Sequence, residues 1–263
     1  MEEVDSVKLV LDIGNKTIHA GVYEAEELLY EFSLKMDRHR PGDEYALLFE
    51  QMLERGGISV SDLTGAMACS VVSGAETLFA EVLEDHLQLS AAFVGPGVKT
   101  GLQILYDNPR DAGADRITNA CAAKKLYGYP VIVCDIGTAV TFCYINELGQ
   151  YSGGAILPGM EEAMETLAEK ASRLPQVELV RPRRVIGRST VEALQSGAHF
   201  GLLAQVEGMI HRIRREAGTE APVVLTGMNA EAVARESRLI DYVRPHLTLE
   251  GLSLIYDNKE ADG

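Results

Sequence analysis

The stretch "LVLDIGNKT", Leu9 to Thr17, has a near-copy far downstream in "VIVCDIGTAVT", Val131 to Thr141. Each is a short apolar run that reads as a buried strand, closes on Asp-Ile-Gly and enters a small polar cluster. The surroundings of the two copies match as well. After the first come "TIHAGVYEA" and "ELLYEFSLKM", which read as further strands of a meander, and then "EYALLFEQMLERGG", whose helical spacing stops at Gly56-Gly57. "SDLTGAMACSVVS" holds another buried strand, "ETLFAEVLEDHL" a helix, "AAFVGPG" a strand and turn. "GADRITNACAAKKLYGYP" reads as a helix halted by Gly128 and Pro130.

After the second copy the order restarts. "AVTFCYINELGQYSGGAIL" alternates around a turn at Gly149, and "EEAMETLAEKASRL" is helical. An arginine-rich loop leads to the long helical "STVEALQSGAHFGLLAQVEGMIHRIRREAG". The strand "APVVLTG", the helix "EAVARES" and a strand-and-helix tail follow. The pattern predicts a duplicated α/β unit, with domains at 1–128 and 129–263, no flexible linker between them, and a cleft where the two Asp-Ile-Gly turns oppose each other.

The 263-residue chain is 46% hydrophobic and 24% charged, enough apolar content for real cores. Its formal net charge of −15 speaks against a nucleic-acid surface. The one basic cluster, "VRPRRVIGR", is a solvated loop or a local anion patch. No apolar run approaches the ~20 residues that span a bilayer, so no membrane partner is expected. The acidic start "MEEVDSVKLV" has no export signature, and Cys69, Cys121, Cys134 and Cys143 have no CxxC spacing, so reduced thiols in a cytoplasmic protein are expected.

The repeated turn carries chemistry. Gly14 lets the chain approach a ligand closely, and the amides of Gly14, Asn15, Lys16 and Thr17 suit a phosphate. Asp12, at the strand end, is placed to hold Mg²⁺ through water. The second copy offers Asp135, Gly137, Thr138 and Thr141. Alone, either turn is an ordinary hairpin; twice, in matched contexts, the pair favours gripping the phosphates of a nucleotide. "VVLTGMNAEAV" repeats the theme at Thr226-Gly227, where a simple strand-to-helix turn is equally compatible. In "YDNPRDAGADRITNA", Asp115 and Arg116 head a helix. By spacing alone Asp115 serves the helix dipole; the sharper reading makes it a proton acceptor and Arg116 a carboxylate ligand. His19 and His199 read as structural, and "STVE" from Ser189 as a helix cap.

Together, "DIGN", "YDNPRDAGADRITNA", "DIGTAVTF", "YSGGAILPGM", "ASRLPQVEL", "VIGRSTVEALQSG" and "LTLEGLSLIY" resemble type III pantothenate kinase, of the acetate-and-sugar-kinase/Hsp70/actin superfamily. The resemblance runs from about Leu9 to Tyr256 with its motifs in order. It implies two ribonuclease H-like (actin-like ATPase) domains and ATP-dependent phosphorylation of pantothenate, which opens coenzyme A synthesis. It also implies Mg²⁺, a monovalent cation (K⁺ or NH₄⁺) and a homodimer. It places Asp12, Ile13, Gly14, Asn15, Lys16, Thr17, Ile18 and His19 on the first phosphate loop. Asp115 becomes the catalytic base. Gly113, Ala114, Asp115 and Arg116, with Tyr106 and Thr190, become substrate contacts. Asp135 becomes the monovalent-cation ligand, and Thr138, Thr226 and Gly227 nucleotide contacts. Three positions depart from the family pattern on the nucleotide side: Lys16 and Val140 each stand where Thr is usual, and Met228 stands where the second Gly of Thr-Gly-Gly is usual. They set an alternative, a weakly active or inactive paralogue that binds pantothenate or a related metabolite in a regulatory role.

Overall fold

The computed structural model describes residues 6–228 and 230–262, with the side chains of 261 and 262 excepted. Two compact units divide the chain. The first takes the residues up to Leu126 together with those from Leu247 onward, and the second runs from Tyr127 to His246.

In the first unit, β1 (Val7–Ile13), β2 (Thr17–Glu24) and β3 (Glu27–Lys35) form an antiparallel meander. Next along the chain are α1 (Gly42–Arg55), β4 (Gly65–Ser70), α2 (Ala75–Glu81, continued by a π-helical turn) and β5 (Ala91–Phe93). β4 and β5 extend the sheet in parallel, giving the order β3-β2-β1-β4-β5. Alternation along β1 sends Leu9, Leu11 and Ile13 to one face, where they are buried with Tyr45, Phe49 and Leu53 of α1 and Phe79 of α2. Phe49 meets Phe32 and Phe79 edge-on, at centroid separations of 5.7 and 6.3 Å. Each of these large side chains contributes roughly 1.5–3 kcal/mol by leaving water.

The opposite face carries Lys8, Val10 and Asp12. Here α3 (Ala114–Tyr127) and α7 (Leu247–Asp262) supply the cover. α7 lies across β1, β2 and β4. It approaches α3 closely at Gly251, where an added Cβ would lie 2.4 Å from the Thr118 carbonyl oxygen. Thr248 donates to Asn119 Oδ1 of α3 at 2.8 Å. The ammonium of Lys8, fully buried, is paired with the Asp257 carboxylate of α7. These contacts explain why the structure departs from the expected 129–263 domain: the tail helix joins the first unit, and the division falls at Leu126/Tyr127.

The second unit repeats the plan. β6 (Val131–Ile136), β7 (Ala139–Ile145) and β8 (Tyr151–Pro158) form the meander. Then come α4 (Met160–Lys170), α5 (Thr190–Ala217), β9 (Val223–Gly227), α6 (Ala230–Ala234) and β10 (Tyr242–Val243). β9 and β10 add in parallel, so the order β10-β9-β6-β7-β8 mirrors the first sheet. Ile132, Cys134 and Ile136 pack with Leu202, Val206 and Ile210 of α5 and Val233 of α6. Ser189 caps α5 by accepting from the Glu192 amide at 3.2 Å, as the "STVE" motif predicts. All four cysteines are free and buried. Among the described residues, no helix is long and apolar enough to cross a membrane.

Candidate active site

The first Asp-Ile-Gly turn joins β1 to β2. The Gly14 amide donates to the Thr17 carbonyl at 3.0 Å, and Ile13 pairs with Ile18, leaving residues 14–17 as the loop. Asn15 and Lys16 are exposed at its tip. Two ties steady it from the end of β3: the Met36 amide donates to the Lys16 carbonyl at 3.0 Å, and Arg38 donates to Asn15 Oδ1 at 3.1 Å. Asp12 is half-buried at the base of the loop and is the register partner of His19 on β2 and Cys69 on β4. His19 bonds Ser33 of β3 at 2.9 Å.

Asp115 and Arg116 occupy the first turn of α3. Arg116 is only 5% exposed, and its guanidinium lies 5.9 Å from the ring centre of Tyr106. Burial lifts the Asp115 carboxyl above its ordinary range; amides at the helix start, those of Arg116 and Asp115, and the charge of Arg116 oppose this only in part. Its Oδ1 is buried and accepts no hydrogen bond among the described residues. Gly113 sits tightly under it, since an added Cβ would lie 2.6 Å from that oxygen. The loop before α3 is pinned to the helix by Cys121 and Lys124, which donate to the carbonyls of Thr100 and Gly101. Tyr106, Gly113, Ala114, Asp115 and Arg116 therefore stand together, in the same unit as the first turn.

Beside Asp12 stands Cys69. This thiol is fully buried, and its Sγ donates to Asp12 Oδ1 at 3.5 Å. The negative field of Asp115 also reaches it. Burial and the two carboxylates push the thiol well above its usual range, so it stays protonated and uncharged. The sequence carries no signal for this role, which depends on β4 lying beside β1.

The second turn is built differently. The Gly137 amide donates to the Ala139 carbonyl at 3.0 Å and Ile136 pairs with Val140, so the loop is only residues 137–139. Thr138 is exposed at its tip and Asp135 is half-buried at its base. Two glycines wall it in. An added Cβ at Gly159 would lie 2.4 Å from the Gly137 oxygen and 2.5 Å from that of Thr138. At Gly227, whose φ of +94° already disfavours a side chain, it would lie 2.3 Å from the Ile136 oxygen and 2.7 Å from Asp135 Oδ1. Thr226 is buried beside it, as the register partner of Asp135.

The three departures from the family pattern separate in space. Val140 is a fully buried strand residue of the second core, so its missing hydroxyl belongs to no loop. Met228, 67% exposed, stands on the surface beyond Gly227, and Lys16 is exposed at the tip of the first turn.

A pocket of 480 Å³ opens beside α6, the helix that follows Thr226-Gly227. Met160 of α4, Ala198 and Leu202 of α5, and Ala232 and Val233 of α6 line its apolar walls. At its rim Arg181 grips Glu236 through two bonds of 2.8 and 3.1 Å, and His199 bonds the same carboxylate at 2.9 Å. The Arg181 hydrogen bond, chief among these, holds the Glu236 carboxyl below its usual range. The apolar wall residues escape sequence reading because helical spacing makes them look like core, whereas Arg181 belongs to the basic cluster "VRPRRVIGR". Thr190, the first residue of α5, is exposed in this second unit.

Among the described residues no cluster of three His, Cys, Asp or Glu side chains forms a metal cage. Mg²⁺ is commonly held by one or two carboxylates while keeping waters and phosphate oxygens in its shell, and Asp12, at the base of the first turn, is a carboxylate of that kind.

Comparison with known proteins agrees with the motifs. The family model for type III pantothenate kinase matches residues 8–212. A type III pantothenate kinase from Bacillus cytotoxicus is 44% identical over 248 residues, covering 94% of this chain and 95% of the relative. A Campylobacter jejuni structure described as a Baf family transcriptional activator superposes with a TM-score of 0.62 at 18% identity, over 96% of this chain and 99% of that one. Component A of (R)-2-hydroxyglutaryl-CoA dehydratase from Acidaminococcus fermentans gives 0.56 at 15% identity, over 98% and 100%. These two distant likenesses establish the fold alone.

Proposed function

This chain belongs to the type III pantothenate kinase family, and we propose that it transfers the γ-phosphoryl group of ATP to the primary hydroxyl of pantothenate, opening coenzyme A synthesis. The observation that carries the reading is the buried Asp115 Oδ1, which accepts no hydrogen bond among the described residues, next to buried Arg116 at the head of α3, in the unit that also holds Asp12 and the first phosphate loop.

The chain's own groups divide the work. Arg116 offers a buried cation to the carboxylate of pantothenate, beside the ring of Tyr106. Asp115 takes the hydroxyl proton through its unoccupied Oδ1 as the new O–P bond forms and the bond to the β-phosphate oxygen breaks, releasing ADP. Burial makes this carboxylate a stronger proton acceptor than one in water. The amides of residues 14–17 orient phosphate oxygens. Asp12 would hold Mg²⁺ through water, which neutralises charge on the transferring phosphates. The pocket beside α6 takes the nucleoside, with Thr138, Thr226 and Gly227 near the phosphates. Asp135 binds the monovalent cation, K⁺ or NH₄⁺, and Thr190 serves pantothenate within a homodimer, as in the resemblance.

The test is ATP-dependent phosphorylation of pantothenate, with and without K⁺, against an Asp115→Ala control. Turnover well above that control supports the assignment. Pantothenate binding with no turnover above it would replace the kinase by the metabolite-binding paralogue. Ala232→Trp, which fills the pocket, raises the KM for ATP and leaves that for pantothenate unchanged if the nucleoside sits there; equal effects on both would remove that placement.

A further inference from the structure

Two carboxylates with different tasks belong to the first unit. Asp12, at the end of β1, is the side chain proposed to hold the hydrated metal, and Asp115, at the start of α3, is the proposed base. What stands beside Asp12 is the fully buried side chain of Cys69. Parallel pairing of β1 with β4 sets Asp12 and Cys69 side by side, so the sulfur reaches Asp12 Oδ1 at 3.5 Å.

We propose that Cys69 is a positioning residue for phosphoryl transfer: its S–H proton holds the Asp12 carboxylate in the orientation that binds hydrated Mg²⁺. A water in the same place could rotate and leave, whereas a side chain on a central strand cannot. A neutral donor suits the position better than a charged one. An ammonium there would pair with the carboxylate and compete with the metal, and a second carboxylate would add repulsion. The thiol satisfies one lone pair of Asp12 and leaves the carboxylate's charge available. The proposal rests on the reading of Asp12 as the metal carboxylate.

The experiment compares Cys69→Ser, which keeps a donor, with Cys69→Ala and Cys69→Val, which lose it, Val keeping most of the volume. Asp12→Asn is run in parallel. Folding of each variant is verified by circular dichroism before kinetics, and Ala stands in should Val overpack. Three quantities are measured: kcat, the Mg²⁺ activation midpoint, and Mn²⁺ affinity of the ADP complex by electron paramagnetic resonance. Losing a hydrogen bond to a charged group predicts about a tenfold drop in kcat and about a tenfold rise in the metal midpoint for Ala and Val. Mn²⁺ affinity falls in parallel, the KM for pantothenate stays put, and Ser restores all three to within about threefold of the parent. A Val or Ala variant with parental kcat and metal midpoint, while Asp12→Asn shifts that midpoint, overturns the role of Cys69 alone. So does a Ser variant as impaired as Val. A midpoint that Asp12→Asn leaves unmoved removes Asp12 as the metal carboxylate, and the proposal falls with it.

Discussion

The two Asp-Ile-Gly hairpins share a sequence pattern and differ in how they are held. The first has a four-residue loop, 14–17, tied from outside by Arg38 and the Met36 amide. The second has three residues, 137–139, boxed in by backbone contacts at Gly159 and Gly227. At Gly14 an added Cβ would meet only the Thr17 oxygen, at 3.1 Å. Duplication thus preserved strand, acid and turn while the means of fixing the turn diverged. The first hairpin is positioned by one backbone and one side-chain hydrogen bond, the second by close backbone contacts that penalise any side chain. The first also shares its unit with a buried acid.

The largest expected effect tests that last difference. Asp115→Asn should lower kcat by roughly 10²–10⁴-fold, the usual weight of a general base, as measured by coupled ADP release. It should also stabilise the fold at neutral pH. A carboxyl whose folded pKa is raised contributes stability that is present at low pH and lost as pH rises through the folded value. The variant lacks that loss, so it melts above the parent at pH 7–8, and the gap closes below the ordinary carboxylate range. A parental pH–melting curve in the variant would show that Asp115 carries no burial penalty.

Next comes Gly227→Ala. Positive φ and the 2.3 Å approach to the Ile136 oxygen predict a cost of about 1–3 kcal/mol, or a fall in Tm on the order of 2–12 °C. Gly14→Ala, with one soft contact, should cost less than about 1 kcal/mol. Equal melting temperatures would abolish the distinction between a walled hairpin and a tethered one. Asn15→Ala breaks only the tie to Arg38, and a two- to fivefold rise in the KM for ATP is expected, about 0.5–1 kcal/mol. The smallest effects belong to Lys16→Thr and Met228→Gly. Both residues are exposed, so ATP affinity should change by less than about twofold in titration calorimetry. A larger gain would mean that these side chains fold back over the nucleotide.

The duplication was legible because period-2 burial and the Asp-Ile-Gly endings are local properties of the chain. The parallel additions of β4 and β9 were legible only as buried strands, not as neighbours of β1 and β6. Everything that depends on such neighbours escaped sequence reading: Cys69 beside Asp12, Gly227 against Ile136, and α7 seated on the first sheet. Val140 shows the same limit from the other side. In one dimension it looks like a loop residue missing a hydroxyl; paired with Ile136 in the ladder, it is core. Asp115 was assignable by resemblance alone, since an acid in the first turn of a helix is ordinary, and its burial became visible only in three dimensions.

The seating of α7 carries a consequence for biogenesis. A ribosome makes β1 with its lysine early, yet the partner Asp257 and the surface that covers β1 and β4 emerge only after all of residues 127–246 have been synthesised. Until then one side of the amino-terminal sheet has α3 but lacks α7, and the Lys8 ammonium lacks the charge it is buried with. The nascent chain therefore holds its first half unfinished while an entire second module is threaded out. It closes that half with a clasp made only after the second module has emerged.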